Sequence, residues 1–166
     1  MANQDTNIRD VFMVGLRNAH ALENEALSIM NRQIERMTDY PDLLARLRQH
    51  VGETNRQIQR IEQILGSHDE SHSSLKDTAL SIAGNIAAMM HAPAEDEILK
   101  NTFADLAFEA YEIAAYKSLI AMARACGETQ AIPLLEESLK EEEAMAAFLD
   151  QNVDKVTVQY LSQRRA

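Results

Sequence analysis

The run Leu135-Glu136-Glu137-Ser138-Leu139-Lys140-Glu141-Glu142-Glu143-Ala144-Met145-Ala146-Ala147-Phe148-Leu149 decides how this chain folds. Leu135, Leu139, Ala146 and Leu149 recur at steps of three and four, the period of one face of an α-helix. Glu142 stands in the middle of that face, where an apolar side chain belongs. A lone carboxylate on a buried stripe either is desolvated at a cost of several kcal/mol or keeps its proton. Its flanking residues Glu141 and Glu143 read as an ordinary solvated face.

The same anomaly occurs near the start of the chain. Phe12, Leu16, Ala19, Ala26, Leu27, Met30, Ile34 and Met37 form a second helical stripe, and Glu23 interrupts it. Working outward, the spacing predicts helices over 6–37, 41–65, 95–126 and 129–152, a shorter one over 74–91 and an amphipathic tail helix over 153–161. Tyr40-Pro41 breaks the first and opens the second, Gly66 and Gly127 close helices, and Pro133 falls in a first turn where it is tolerated. Met13, Met30, Met89, Met122 and Met145 read as core filler. Tight turns pair helices 1 and 2, and likewise 3 and 4, while the long link from 67 to 94 carries the chain to the far end. The expected fold is all-α, one domain over 1–166: a four-helix bundle with a single crossover bearing an extra helix, plus a short C-terminal helix.

Composition agrees. The 166 residues are 46% hydrophobic with no Trp and only three Pro, which is helix vocabulary in a chain long enough for one core. The net charge of −10 argues against nucleic acid as a partner, because phosphate binding needs clustered Lys and Arg. One cysteine, Cys126, excludes an internal disulfide and fits a reducing compartment. The polar start and the lack of an apolar run of about 20 residues lead to the expectation of a cytoplasmic protein without membrane attachment.

Two further glutamates share the depth of the first two. Glu23 and Glu53 lie 16 and 14 residues from a turn centred near residue 39, and Glu112 and Glu142 each lie 15 from one near 127. At about 1.5 Å per residue the spread is only about 3 Å, so all four fall in one layer. Glu53 sits beside Thr54, off the centre of its stripe, aligned with His50 and Gln57. In helix 3, Asp105, Glu109, Glu112 and Tyr116 share a face that reads equally as solvated or buried. Carboxylates gathered in one layer are ligands for hard cations such as iron, manganese or magnesium. His20 and His50, each one turn before a glutamate, read as half-exposed or internally satisfied, with a supporting role beside a ligand as the sharper alternative. Tyr111 and Tyr116 read as packing residues, with Tyr116 the better placed to act on a metal centre.

The segments Leu22-Glu23-Asn24-Glu25-Ala26-Leu27, Glu53-Thr54-Asn55-Arg56-Gln57-Ile58, Phe108-Glu109-Ala110-Tyr111-Glu112-Ile113-Ala114-Ala115-Tyr116 and Leu139-Lys140-Glu141-Glu142-Glu143 resemble the YciE/YciF group of bacterial ferritin-like stress proteins. The likeness, nearest to the YciE type, extends over about residues 7–161. It implies a ferritin-like bundle, a homodimer and a dinuclear iron or manganese site, with Glu23, Glu53, Glu112 and Glu142 as principal ligands. One feature departs from the wider di-iron pattern of Glu-x-x-His on two helices: Arg56 and Met145 stand where histidines are wanted. Gln57 and Glu109 are the auxiliary donors at hand, and a site that has lost its metal is the alternative. The functional expectation is a metal protein acting on oxygen, peroxide or iron. Its rivals are a non-catalytic dimeric bundle that binds partners through a vestigial site, and a cage that stores iron.

Overall fold

A computed structural model of the chain describes residues 2–68 and 96–164, with side chains from Ile8 onward. Four helices make up the described part: α1 (Ala2–Arg36), α2 (Pro41–Gly66), α3 (Glu97–Cys126) and α4 (Ala131–Gln163). No strand occurs among the described residues. Both α1 and α4 pack against α2 and α3, which makes a four-cornered bundle. Gln33 meets Asp105 while Tyr116 meets Glu23, so α1 and α3 are antiparallel. On the opposite side, Arg60 meets Glu137 and Asp42 meets Lys155, so α2 and α4 are antiparallel too.

These registers require a crossover. At the end of α2, His68 approaches Glu128 in the α3–α4 turn at 3.3 Å. At the start of α3, Glu97 pairs with Arg36 at the opposite end of the bundle, at 2.9 Å. The connection between them therefore spans the bundle's length, as the long link of the sequence requires. The helix expected over 74–91 lies outside the described residues.

Local chemistry sets most of the helix ends. Pro41 opens α2, where a missing N–H costs nothing. Gly127 closes α3 in the left-handed conformation at φ 79°, which a side chain would disfavour. At two ends the helices run further than their sequence indicates. α1 begins at Ala2 rather than near Thr6, no Gly or Pro intervening. The separate tail helix expected over 153–161 does not exist: α4 continues unbroken from Ala131 to Gln163. Asn152, which read as a stop, turns its amide onto the Phe148 carbonyl at 2.8 Å and stays helical. Beyond it Val156 is buried against the cluster of Tyr40 and Leu43, which gives the extra turns a core to hold.

Two apolar clusters fill the bundle. One, with Phe12, Leu16, Ile61, Leu65, Leu119 and Leu135, lies toward the α3–α4 turn. The other, with Met30, Leu43, Leu47, Met145, Leu149 and Val156, lies toward the α1–α2 turn. The layer of carboxylates is sandwiched between them. Removing residues 153–166 takes away the burial of Val156 and the Tyr40–Gln163 hydrogen bond. The expected loss is about 2 kcal/mol, given the usual worth of a buried aliphatic side chain. A lower midpoint in urea denaturation is the readout; an unchanged midpoint would show that the last turns do not hold the fold.

Candidate metal centre

Each helix sends polar groups into the middle layer. α1 contributes Glu23, α2 contributes His50, Glu53 and Gln57, α3 contributes Glu109 and Glu112, and α4 contributes Glu142; all are buried. The buried line of α2 runs through Leu43, Leu47, His50, Thr54, Gln57, Ile61 and Ile64, while Val51 and Ile58 are half-buried. The helix is thus turned toward its polar edge. Helix α3 goes further: Asp105, Glu109, Glu112 and Tyr116 face inward, and Phe103 and Tyr111 face outward. An almost wholly apolar segment has no preferred face of its own, so the partners of its carboxylates set its rotation.

His50 is the hub. Its Nδ1 lies 2.8 Å from Glu53 Oε2, while Nε2 lies 3.3 Å from Glu109 Oε1 and 3.4 Å from Glu142 Oε2. Arg46 and Gln49 hold the outer side of Glu53 at 2.9 and 2.7 Å. The Gln57 amide donates to both Glu142 and Glu141, and the Tyr116 hydroxyl donates to Glu23 Oε1. Several oxygens remain without a hydrogen bond although buried: Glu23 Oε2, Gln57 Oε1, Glu109 Oε2, Glu112 Oε1 and Glu142 Oε2.

The charges sort themselves by surroundings. Burial, reinforced by neighbouring carboxylates, pushes Glu23 and Glu112 well above the ordinary range, and Glu109 up to about 8. Burial likewise lifts Asp105 to about 7. For His50, burial works against the charge, yet hydrogen bonds to Glu109, Glu142 and Glu53 raise it to about 12. Burial also works against Glu53, but His50, Arg46 and Gln49 hold it down to about 2. Glu142 falls below the carboxylate range because His50, Glu109 and Gln57 outweigh its burial. The layer therefore stays close to neutral: Glu53 and Glu142 are anionic, His50 and Arg46 cationic, and the remaining glutamates hold protons.

The candidate ligands do not all converge. Glu109 and Glu142 meet at His50, and Gln57 donates to Glu142. Glu23 and Glu112 stand in the same layer outside that close group, and Glu53 lies on the far side of the His50 ring. His50 was the residue to notice. It stands on the line of Gln57 and Ile61 at helical spacing, where the pattern reads as a half-exposed or internally satisfied histidine with a supporting role beside Glu53 as the sharper alternative. The structure instead places it 1% exposed at the centre. His20 is part-buried and turns to Glu62 at 3.2 Å, away from the layer. Glu143 is exposed and pairs with Lys117. Glu141, which reads as solvated, is mostly covered and braced by Arg60 at 2.7 Å. Tyr111 is exposed rather than packed, while Tyr116 is buried.

The donor set fits a cation. His50, Glu109 and Glu142 bring ligand atoms within 4.8 Å of one another, and the unpaired oxygens of Glu23, Glu112 and Gln57 belong to side chains of the same layer. Unpaired buried oxygens are costly, and a hard divalent ion is the partner that carboxylate and carbonyl oxygens accept most readily. One group able to hold a metal ion is thus present among the described residues.

A four-helix bundle with a long crossover and a carboxylate layer at mid-depth defines the ferritin-like class. Residues 7–162 match the family described as a domain of unknown function, DUF892, and the chain belongs to that family. It is 31% identical over 148 residues to Protein YciF of Escherichia coli (strain K12), covering 82% of this chain and 84% of that protein. Among solved structures, a protein of Xanthomonas campestris pv. campestris str. ATCC 33913 aligns with a TM-score of 0.80 at 28% identity, over 96% of this chain and 99% of that one. The structure of the E. coli stress protein YciF aligns with a TM-score of 0.71 at 25% identity, over 90% and 96%. These relatives are of the YciF type, not the YciE type to which the sequence motifs point. Among the described residues no helix is long and apolar enough to cross a membrane.

The buried acids give the metal-free protein a distinctive pH profile. Glu109 titrates near 8 in the fold against an ordinary 4.5, so the folded state keeps a proton that the unfolded chain releases. Its stabilisation is complete below about pH 4.5 and is lost as pH rises through 8. His50 acts in the same direction, from 6.5 up through about 12. Glu53 acts oppositely, its contribution disappearing as pH falls from 4.5 toward 2. Chelator-treated protein should therefore melt highest near pH 5 and progressively lower toward pH 9. Glu112→Gln, neutral at every pH, should raise the melting temperature at pH 8 by about 5 °C and flatten the decline. Thermal melts in EDTA from pH 5 to 9 check this, and a variant that tracks the unchanged protein would refute it.

Proposed function

We propose that this chain is a ferritin-like stress protein that binds two iron or manganese ions in its carboxylate layer and acts on oxygen, peroxide or iron. The observation that carries the reading is the group of unpaired buried oxygens on Glu23, Gln57, Glu109, Glu112 and Glu142 around His50. A pair of such ions supplies one-electron chemistry toward dioxygen or peroxide, which the side chains cannot perform alone. The chain's own part is to hold donors in place. Glu53, anchored by Arg46 and Gln49, orients the His50 ring. Tyr116 directs one oxygen of Glu23 away and leaves the other free. The flanking apolar clusters keep bulk water out. Half-buried Cys126, the lone cysteine, supports a reducing, cytoplasmic setting.

Elemental analysis tests the proposal directly. Protein prepared in medium containing iron and manganese should carry about two metal ions per chain, as a dinuclear site requires. Glu23→Ala combined with Glu142→Ala should carry essentially none. Metal at 100 times its dissociation constant should also stabilise the unchanged protein by about 2.7 kcal/mol. Equal, negligible metal in both samples rejects the reading.

A second reading, a dimeric module acting through its surface, is favoured by one feature of α3. From 103 to 116 its exposed positions are Phe103, Ala107, Ala110, Tyr111 and Ala114, an uncharged face; the exposed charges beyond it, Lys117 and Arg124, pair with Glu143 and Glu136 of α4. In a chain of net charge −10, an uncharged helix face is where a second copy can approach without repulsion. Tyr111→Glu should then shift the protein from dimer to monomer on a sizing column with light scattering. An unaltered dimer, or a monomer from the outset, excludes this face as the dimer contact.

A further inference from the structure

The carboxylate layer is closed off by apolar side chains toward both ends of the bundle. A cation must therefore reach it between helices, and the two seams that carry buried polar groups differ in charge. Along the α2–α4 seam stand Arg46, Arg56 and Arg60, paired with Glu53, Glu141 and Glu137. Each of those carboxylates already has a guanidinium partner, so that seam offers a cation no unpaired charge. Along the α1–α3 seam stand Gln33 and Asp105, both buried, with the Gln33 amide donating to Asp105 Oδ1 at 2.8 Å. Gln33 also lines a cavity of about 320 Å³ that reaches Asp39, Glu97 and Asn101 at the α1–α2 turn. The arginines on that rim are engaged, Arg36 by Glu97 at 2.9 Å and Arg164 over the Tyr160 ring at 5.3 Å. On the inner side, Asp105 lies one helical turn, about 6 Å of rise, before Glu109.

Two further facts single out this pair. Gln33 is 3% exposed, yet its Oε1 has no hydrogen-bond partner, so a buried carbonyl oxygen is left over at the cavity. An amide oxygen beside a carboxylate is the donor pair that hard divalent cations accept. Within the half of the bundle nearer this cavity, the apolar cluster of Met30, Leu47, Met145 and Leu149 occupies the axis. The polar line Gln33–Asp105–Glu109 passes beside it.

We propose that Gln33 and Asp105 form a way-station through which divalent cations pass from the cavity at the α1–α2 turn to Glu109. The inference rests on the metal-binding reading and adds the route. A cation at the cavity floor is held by Gln33 Oε1 and Asp105, the amide releases Asp105, and the ion is handed to Glu109 one turn further in. Asp105 then regains its hydrogen bond from Gln33, which reseals the seam.

Cobalt(II) uptake followed by stopped-flow visible absorbance, on the full chain after chelation, tests the route. Asp105→Asn keeps the shape and removes the charge; it should reach the same final cobalt content about tenfold more slowly, the scale on which a charged cleft alters arrival rates. Asp105→Glu should load at the rate of the unchanged protein, which separates charge from fold. Arg56→Ala, on the opposite seam, should leave the rate alone. Loading of Asp105→Asn at the unchanged rate overturns the way-station. A lowered final content at an unchanged rate would make Asp105 a ligand instead, and overturns it equally. If the unchanged protein takes up no cobalt, the metal-binding reading itself fails.

Discussion

Charge neutrality inside the carboxylate layer is the constraint on which the rest of this structure depends. Several acids from all four helices meet where water is excluded, and they cannot all ionise. His50 resolves the conflict by bonding on one side to Glu53 and facing Glu109 and Glu142 on the other. The protonated imidazole supplies the positive charge that the layer requires. Helix α2 has to turn its polar edge inward to deliver it, leaving Val51 and Ile58 only half-buried. A bundle built for stability alone would bury those residues instead.

The same demand explains α3. From 103 to 116 its inward face is Asp105, Glu109, Glu112 and Tyr116 and its outward face is apolar or small, the reverse of an ordinary amphipathic helix. Beyond it, Leu119, Ile120 and Ala123 are buried in the usual way. Hydrogen bonds from Gln33 to Asp105 and from Tyr116 to Glu23, with the His50–Glu109 contact, hold that first stretch facing inward. Stability is instead concentrated in the two flanking clusters, which isolate the layer and tolerate its cost. Gly15 contributes at the α1–α3 seam: an added Cβ would meet Leu119 Cδ2 at 2.9 Å, so the Leu119 side chain would have to shift.

How far the fold and site were legible follows from this division. Glu142 and Glu23 stand out because each is a single charged residue on an otherwise apolar stripe, and periodicity detects that contrast. Glu109 and Glu112 gave no contrast, since α3 is apolar nearly all round and its facing is decided by partners on other helices. His50, at the edge of its stripe, reads as half-exposed or internally satisfied beside Glu53, and only the three-dimensional meeting of α2, α3 and α4 puts it at the centre. Four helices and a crossover followed from turn signals that act locally, Pro41 and Gly127 above all. The continuation of α4 past Asn152 did not, because what holds those turns is tertiary: Val156 against Tyr40 and Leu43.

The placement of the imidazole also bears on the absent Glu-x-x-His pairs. On α2 the histidine stands three residues before its glutamate rather than three after, with Arg56 at the usual position. On α4, Met145 fills the corresponding place and is fully buried in the apolar cluster. The layer thus has one imidazole among its carboxylates, and it sits to one side, toward α2. Such a donor set is mostly oxygen and unequal on its two sides. Oxygen donors favour iron and manganese over softer metals such as copper. Inequality means that two ions held here would not be equivalent: the one nearer His50 would have nitrogen as well as oxygen donors, and the one nearer Glu23 and Glu112 oxygen alone. On the proposed reading, the departure from the usual motif changes the symmetry of the donor set.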